Sequence, residues 1–301
     1  MSLVVVGSVA FDSLRTPFGE ADHILGGAAT HFSVTASYFA PVKVVAVVGD
    51  DFDDENLKVF EDRGIDTEGL ERAPGKTFRW VAEYSGDMNE ARTLATHLNV
   101  FEQFSPKIPA SYRDCEYLFM ANIHPKLQYD VRKQLPEARL AAMDTMNFWI
   151  KGTPDELKET LATVHMVTIN ETETRMLAGC HNLTKAAKTV QKMGPGVVIV
   201  KRGEYGVISF SGNSVFSVPA FPLEEVFDPT GAGDSFAGGF MGHLAATGDL
   251  SERNLRRAMV YGSVMASFAV EDFGLRRTAR LTRQEIDARF REFKSLTHFD
   301  A

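Results

Sequence analysis

The stretch Asp228-Pro229-Thr230-Gly231-Ala232-Gly233-Asp234 sets two acids on either side of a glycine-containing turn. Ser235-Phe236-Ala237-Gly238-Gly239-Phe240 continues it with small, increasingly apolar residues. Pro229 restrains the approach to the turn, while Gly231 and Gly233 reach backbone angles that other residues adopt only at a cost. The pattern predicts a helix starting near Ala232 or Gly233, with unpaired N–H groups in its first turn at the positive end of its dipole. Such an end can hold a phosphate or a developing negative charge. A carboxylate on the same turn, Asp234, repels a phosphate, and its presence is explained if it takes a proton from a hydroxyl attacking that phosphate. The plainer alternative is a glycine turn with Asp234 as an ordinary first-turn acid.

Around this motif the chain alternates. Short β-branched runs at 4–6, 42–48, 117–121, 140–143, 164–169 and 197–201 read as strands, several apolar on nearly every residue, as parallel strands buried on both faces are. Helical patterns fall between them at 31–39, 155–163 and 184–193. The alternation predicts a doubly wound α/β fold. Leu255, Ala258, Met259, Gly262, Ala266 and Ala269 repeat at helical spacing and read as a stripe facing the core. Two segments break the pattern: a polar, turn-rich stretch at 11–23, and 76–101, where a strand-like run, 77–84, leads into the turn-like Ser85-Gly86-Asp87. They are expected to form a small antiparallel sheet projecting from the main body.

The 301 residues, 44% of them apolar, suffice for one large core or for one core with a small appendage. Forty acids against 32 bases give a formal charge of −8 with no long basic run, which argues against nucleic acid or an anionic membrane as partner. No apolar run approaches the roughly 20 residues of a membrane span. The N-terminus lacks a basic leader and becomes a strand at once, unlike a signal peptide. Cys115 and Cys180 form neither a metal spacing nor a disulfide framework, which suits a reducing cytoplasm.

Taken together, these landmarks closely resemble the ribokinase-like (pfkB) family of sugar and nucleoside kinases. The family's C-terminal signature is Asp-Thr-x-Gly-Ala-Gly-Asp, here with Pro229 for the threonine. Gly7 and Asp12 follow the first strand, Gly26-Gly27 opens a helix, and Asn170-Glu171-Thr172-Glu173 fits an Asn-x-x-Glu motif, in the family's order. The likeness runs from residue 4 to about residue 274. It implies a single domain over 1–301, a doubly wound, mostly parallel sheet flanked by helices, and a small β-sheet lid formed by 11–23 and 76–101.

By this resemblance Asp234 is the catalytic base, and the N–H groups of Gly231, Ala232 and Gly233 form the anion hole. Asp228, with the carbonyl of Thr230, binds a monovalent cation such as K⁺ with help from the loop 270–274, or merely caps the turn. Asn170 and Glu173 serve ATP and Mg²⁺, although the same pair fits a capping box, and both readings can hold together. Lys201 and Gly203 follow a strand and contact ATP, Gly203 through its backbone, unless Lys201 and Arg202 are simply solvated charges. Asp12 accepts hydrogen bonds from substrate hydroxyls, with Gly26 and Gly27 allowing close approach. For Asp12 the alternative is a surface turn acid.

The chain also departs from the family. His31 stands where an asparagine is common, and Ala28 where a lysine is. His31 either meets a substrate hydroxyl or packs at the helix start. The stretch Met143-Asp144-Thr145-Met146-Asn147-Phe148-Trp149 lacks the arginine of the Asp-Pro-Asn-x-Arg pattern, so Asn147, a lid arginine (Arg79 or Arg92), Mg²⁺ or the anion hole must take its charge. The expected activity is transfer of the γ-phosphate of ATP to a hydroxyl of a neutral sugar. The alternatives are a nucleoside, with Phe78, Trp80 and Phe101 walling the base, and a non-catalytic binding protein on the same fold. The expected partners are a small-molecule sugar or nucleoside and, left open, a second copy in a homodimer. A cytoplasmic location is expected.

Overall fold

The computed structural model describes residues 1–86, 88–89 and 91–298. Asp87, read above as part of a turn, lies outside them. In chain order the elements are β1 (Leu3–Val6), β2 (Ala10–Thr16), β3 (Gly19–Gly26), α1 (Ala28–Ala36), β4 (Val42–Val48), α2 (Asp54–Glu61), β5 (Asp66–Arg72), β6 (Phe78–Tyr84), β7 (Ala91–His97) and β8 (Tyr117–Met120). There follow α3 (Pro125–Gln134), β9 (Leu140–Asp144), α4 (Asn147–Gly152), α5 (Pro154–Leu161), β10 (Met166–Asn170), α6 (Glu171–Ala178), α7 (Leu183–Gln191) and β11 (Val197–Lys201). The last are β12 (Val207–Ser211), β13 (Ser214–Val218), α8 (Ala232–Thr247), α9 (Glu252–Ala269) and α10 (Arg283–Thr297).

Nine strands form one sheet in the order β13-β12-β11-β10-β9-β8-β1-β4-β5. From β11 to β5 every neighbouring pair is parallel, and β12 and β13 extend it as an antiparallel edge. The all-apolar strands are explained by helices on both faces. Leu3, Val5, Tyr117, Phe119, Leu140 and Ala142 enter one core, with α1, α8 and α9. Their neighbours Val4, Val6, Leu118, Met120, Ala141 and Met143 enter the other, with α3, α5 and α7. Alternate residues of each strand thus serve different cores.

The glycines of α8 have a packing reason. A Cβ on Gly239 would stand 2.8 Å from the Tyr261 carbonyl oxygen, and one on Gly242 3.0 Å from that of Ala36. α8 is therefore wedged between α1 and α9, and its first turn is fixed in space despite a glycine content that costs helix propensity.

A separate four-stranded sheet runs β3-β2-β6-β7. The stretch 11–23 joins the small sheet as expected, with less turn than its polar composition suggests. It is a hairpin whose first strand is buried at Phe11, Asp12, Ser13 and Leu14, with a bulge between Asp12 and Leu14. Its outer pairs are antiparallel, as expected, but the central pair, β2 with β6, is parallel, because β6 arrives after the β4–α2–β5 crossover.

Candidate active site

The strands of the large sheet deliver their last residues to one end: Gly7 after β1, Asp144 on β9, Asn170 on β10 and Lys201 on β11. Ligands of open α/β sheets bind at that end. The first turn of α8 faces it. Gly231 has φ +72°, a left-handed angle costly for a side chain, and its missing Cβ leaves room for the His31 ring. Asp228 is wholly buried and accepts the Thr230 N–H at 2.9 Å through Oδ1 and the Gly274 N–H at 2.9 Å through Oδ2. The capping role is thus real, and the loop 270–274 adjoins the motif, where Phe227 N–H also donates to the Val270 carbonyl at 2.9 Å. One of the three expected anion-hole donors is already committed: Ala232 N–H closes a turn onto the Pro229 carbonyl at 3.2 Å. The N–H groups of Gly233 and Asp234 follow it in the first turn of α8.

Asp234 lies among charges. Burial and the nearby Asp144 carboxylate raise its carboxyl to about 7, and Lys201 opposes them. Lys201 is not a solvated charge. Its ammonium is 3.0 Å from Asp144 Oδ2, its side chain is 20% exposed, and a Cβ on Gly233 would stand 2.8 Å from Nζ. Burial pulls the lysine down, but Asp144, Glu173 and Asp234 outweigh it, so Lys201 is held above its usual pKa. Arg202 turns away and pairs with Glu171 at 2.8 Å.

The Asn-x-x-Glu motif is a complete capping box: Asn170 Oδ1 accepts the Glu173 N–H at 2.8 Å, and Glu173 Oε2 accepts the Asn170 N–H at 2.7 Å. Capping does not exhaust Glu173. Burial, then Asp144, raises its carboxyl to about 7 against Lys201 and the Asn170 N–H, so it faces the same cluster.

On the other wall Asp12 is no surface acid. It is 4% exposed, and burial, Asp228 and Asp234 raise it to about 7 against a hydrogen bond from Gly27. Gly26 packs directly on its carboxylate, so a side chain there would displace it, and Gly27 sits at φ +93° against the Ser8 carbonyl. His31 is 1% exposed with both ring nitrogens unpartnered, and burial alone lowers it to about 4, so it is neutral at pH 7.

Two residues of this site escaped the sequence. Tyr84, at the end of β6, accepts the Thr230 hydroxyl at 3.1 Å, and burial, with Asp228, Asp12 and Asp234 nearby, pushes its phenol up. Asp144 lay inside a stretch notable for a missing arginine, and only the fold brings it to Lys201. Trp80 is in register with Asp12 across β2 and β6, on the same face of the small sheet. Phe78 and Phe101 stack on each other, centroids 5.2 Å apart. The lid arginines are engaged elsewhere: Arg79 with Ser13 and Asp22, Arg92 with Glu83, and Asn147 is exposed at the start of α4. Gly203 abuts Asn89 of the small sheet's loop.

A buried acid, a second acid at a helix N-terminus and a lysine beside it thus lie together at the carboxyl end of a doubly wound sheet, an arrangement suited to phosphoryl transfer. The description "pfkB family carbohydrate kinase" matches residues 3–281, and the chain belongs to that family. It is 32% identical over 248 residues to the cytidine kinase of Thermococcus kodakarensis, covering 80% of this chain and 87% of that one. The Burkholderia thailandensis nucleoside kinase in complex with inosine superposes with a TM-score of 0.77 at 19% identity, over 98% of this chain and 99% of that one. A Vibrio cholerae fructokinase double mutant with fructose, ADP and potassium ion bound gives 0.81 at 18% identity, over 96% and 98%. The protein is a kinase. None of the described helices is long and apolar enough to cross a membrane.

Proposed function

We propose that this kinase transfers the γ-phosphate of ATP to a ribose hydroxyl of a nucleoside, with a neutral sugar as the second reading. The order of the two acceptors reverses on one observation: Trp80 stands beside Asp12 on the same face of the small sheet, so an aromatic wall adjoins the hydroxyl acceptor. Base-on-aromatic stacking contributes about 1–3 kcal/mol. The cytidine kinase relative supports the same choice. The sugar reading keeps Asp12, Gly26 and Gly27 without using Trp80.

In this reading Asp12 accepts hydrogen bonds from the acceptor's hydroxyls and His31 offers a neutral imidazole to the same ligand. Asp234, once ionised, takes the proton as the hydroxyl oxygen bonds to the γ-phosphorus and the bond from that phosphorus to the bridging oxygen breaks, releasing ADP. The free N–H groups of the α8 turn meet the charge on the transferring group. Asn170, Lys201 and the Gly203 backbone line the nucleotide side. The segments 11–23 and 76–101 form a lid of a single domain, anchored to the motif by Tyr84.

Glu173 is a buried oxygen donor facing Asp144, a fit for Mg²⁺ held through water. When bound, Mg²⁺ neutralises phosphate charge. Asp228 and the Thr230 carbonyl are assigned a monovalent cation, K⁺ first. The carboxylate oxygens already hold one N–H each and have lone pairs to spare.

The test is a coupled ADP-release screen with cytidine, adenosine, inosine, ribose, fructose and fructose 6-phosphate. The highest kcat/KM is expected for a nucleoside. A free sugar above every nucleoside would select the second reading, and fructose 6-phosphate above all of them would refute both.

A further inference from the structure

We propose that Lys201 is a catalytic residue that places its ammonium on the transferring phosphoryl group and replaces the arginine missing from residues 143–149. The inference rests on the kinase reading of the site and adds the identity of its phosphate cation.

The observation is a charge imbalance resolved at one place. Asp12, Asp144, Glu173, Asp228 and Asp234 converge on the carboxyl end of the sheet, and a nucleotide triphosphate must approach this acidic cluster. The one cation that bears on Asp234 among the described residues is Lys201. It ends β11, in register with Asn170 across the β10–β11 pair, and its Nζ lies against Gly233. Gly233 carries one of the free N–H groups of the α8 turn. Lys201 is therefore beside both the anion hole and the base, where the group in flight must pass. Lys201 stands on a strand end, so the sheet itself sets its position.

Asp144 explains how so hydrophilic a group is kept there. Its Oδ2 accepts a hydrogen bond from one of the ammonium's three N–H groups at 3.0 Å, leaving two for phosphate oxygens. The pair also keeps the lysine charged. Asp144 is thus a positioning residue, and Gly233 is small because a side chain would stand in the ammonium's place. The rival account is that Lys201 only neutralises Asp144 beneath the site, and it makes different predictions for nucleotide binding.

The test compares the affinity of a non-hydrolysable ATP analogue with that of ADP, by calorimetry with Mg²⁺ and no acceptor. Lys201→Met is expected to weaken the analogue at least about tenfold more than ADP, and to lower kcat roughly 10²–10³-fold, the range for losing a donor to developing charge. Lys201→Arg should recover part of both. Because Lys201→Met leaves Asp144 unpaired, the double variant Lys201→Met/Asp144→Asn removes both charges and is measured alongside. The same selective loss of the analogue is expected from it. Equal losses for analogue and ADP, or a double variant with wild-type kcat, would overturn the proposal. A wild type that prefers the analogue, loses that preference with Lys201 and yet phosphorylates none of the screened acceptors would leave this inference standing and the acceptor assignment wrong.

Discussion

The hydroxyl of Thr230 donates to the hydroxyl of Tyr84 at 3.1 Å, and that bond fastens the small sheet to the turn that opens α8. The two residues are far apart in sequence, and Thr230 is buried beside Asp228. Tyr84→Phe removes the acceptor and leaves a buried hydroxyl unpaired, which costs about 1 kcal/mol. The KM for the acceptor is expected to rise severalfold with nucleotide affinity unchanged. A fall of a hundredfold in kcat at constant KM would instead put Tyr84 on the reacting atoms.

Asp234→Asn keeps size and removes basicity, so kcat is expected to fall roughly 10²–10⁴-fold while ATP still binds. In the wild type the base must be ionised, and its carboxyl is raised to about 7 by burial and Asp144 against Lys201. The profile of kcat/KM should therefore drop on the acid side with an apparent pKa near 7, a value that belongs to the cluster because Asp12 titrates in the same range. Near-normal turnover of the pure variant, or a rate flat from pH 8 to pH 5, would remove Asp234 from the role of base.

The same shifts make the active site a stability liability. Asp12 rises from 3.8 to about 7 on folding, so the folded state holds its proton more tightly than the unfolded chain does. Such a group contributes stability that is fully present below about pH 4 and is lost as pH rises through about 7. Buried His31, lowered to about 4, has the opposite sign, since stability is lost as pH falls below 6.5. Comparing Asp12→Asn with wild type cancels the histidine. The variant is expected to melt higher than wild type at pH 7.5, with an advantage that shrinks by pH 5. An advantage independent of pH would show that Asp12 is not the group responsible.

The sequence discloses the large sheet because its strands are buried on both faces and read as unbroken apolar runs; 42–48 and 197–201 match β4 and β11 end for end. The edge strand β5, Asp-Thr-Glu-Gly-Leu-Glu-Arg, is too polar to read that way. The hairpin of β2 and β3 is expected from the sequence only as part of a small sheet, and its strand bounds stay hidden because its bulge breaks the two-residue period. The site divides similarly. The α8 motif and the Asn170–Glu173 pair are local, so spacing reveals them. The Lys201–Asp144 pair, the Tyr84–Thr230 bond and the Asp228 grip on Gly274 join distant segments, and no local pattern encodes a partner 57, 146 or 46 residues away.

Asp228 ties two loops together, and its removal separates two roles. Asp228→Ala frees the N–H groups of Thr230 and Gly274, so a lower melting temperature is expected in any buffer. If the carboxylate also holds K⁺, the wild type should turn over faster in K⁺ than in a bulky organic cation, and the variant should lose that difference. A wild type indifferent to K⁺, Na⁺ and the organic cation would leave Asp228 with its capping role alone.

Glu173 carries the sharpest division between structure and chemistry. Its Oε2 accepts the Asn170 N–H at 2.7 Å, and Asn170 Oδ1 returns the bond at 2.8 Å. Glu173→Gln keeps an oxygen able to accept that N–H, so the cap survives in geometry, and its loss of charge acts chiefly on the cluster. The carboxyl is buried and raised to about 7, so the neutral amide is also the easier group to bury. The variant is therefore expected to fold with an unchanged or higher melting temperature at pH 7.5. A water-mediated Mg²⁺ ligand would be weakened by the same change, and the Mg²⁺ concentration for half-maximal rate should rise severalfold, with a smaller effect at saturating metal. Titrating MgCl₂ at fixed ATP against the rate, with melting curves in parallel, decides between them: a lower melting temperature with an unmoved Mg²⁺ dependence would assign Glu173 to the cap and nothing else.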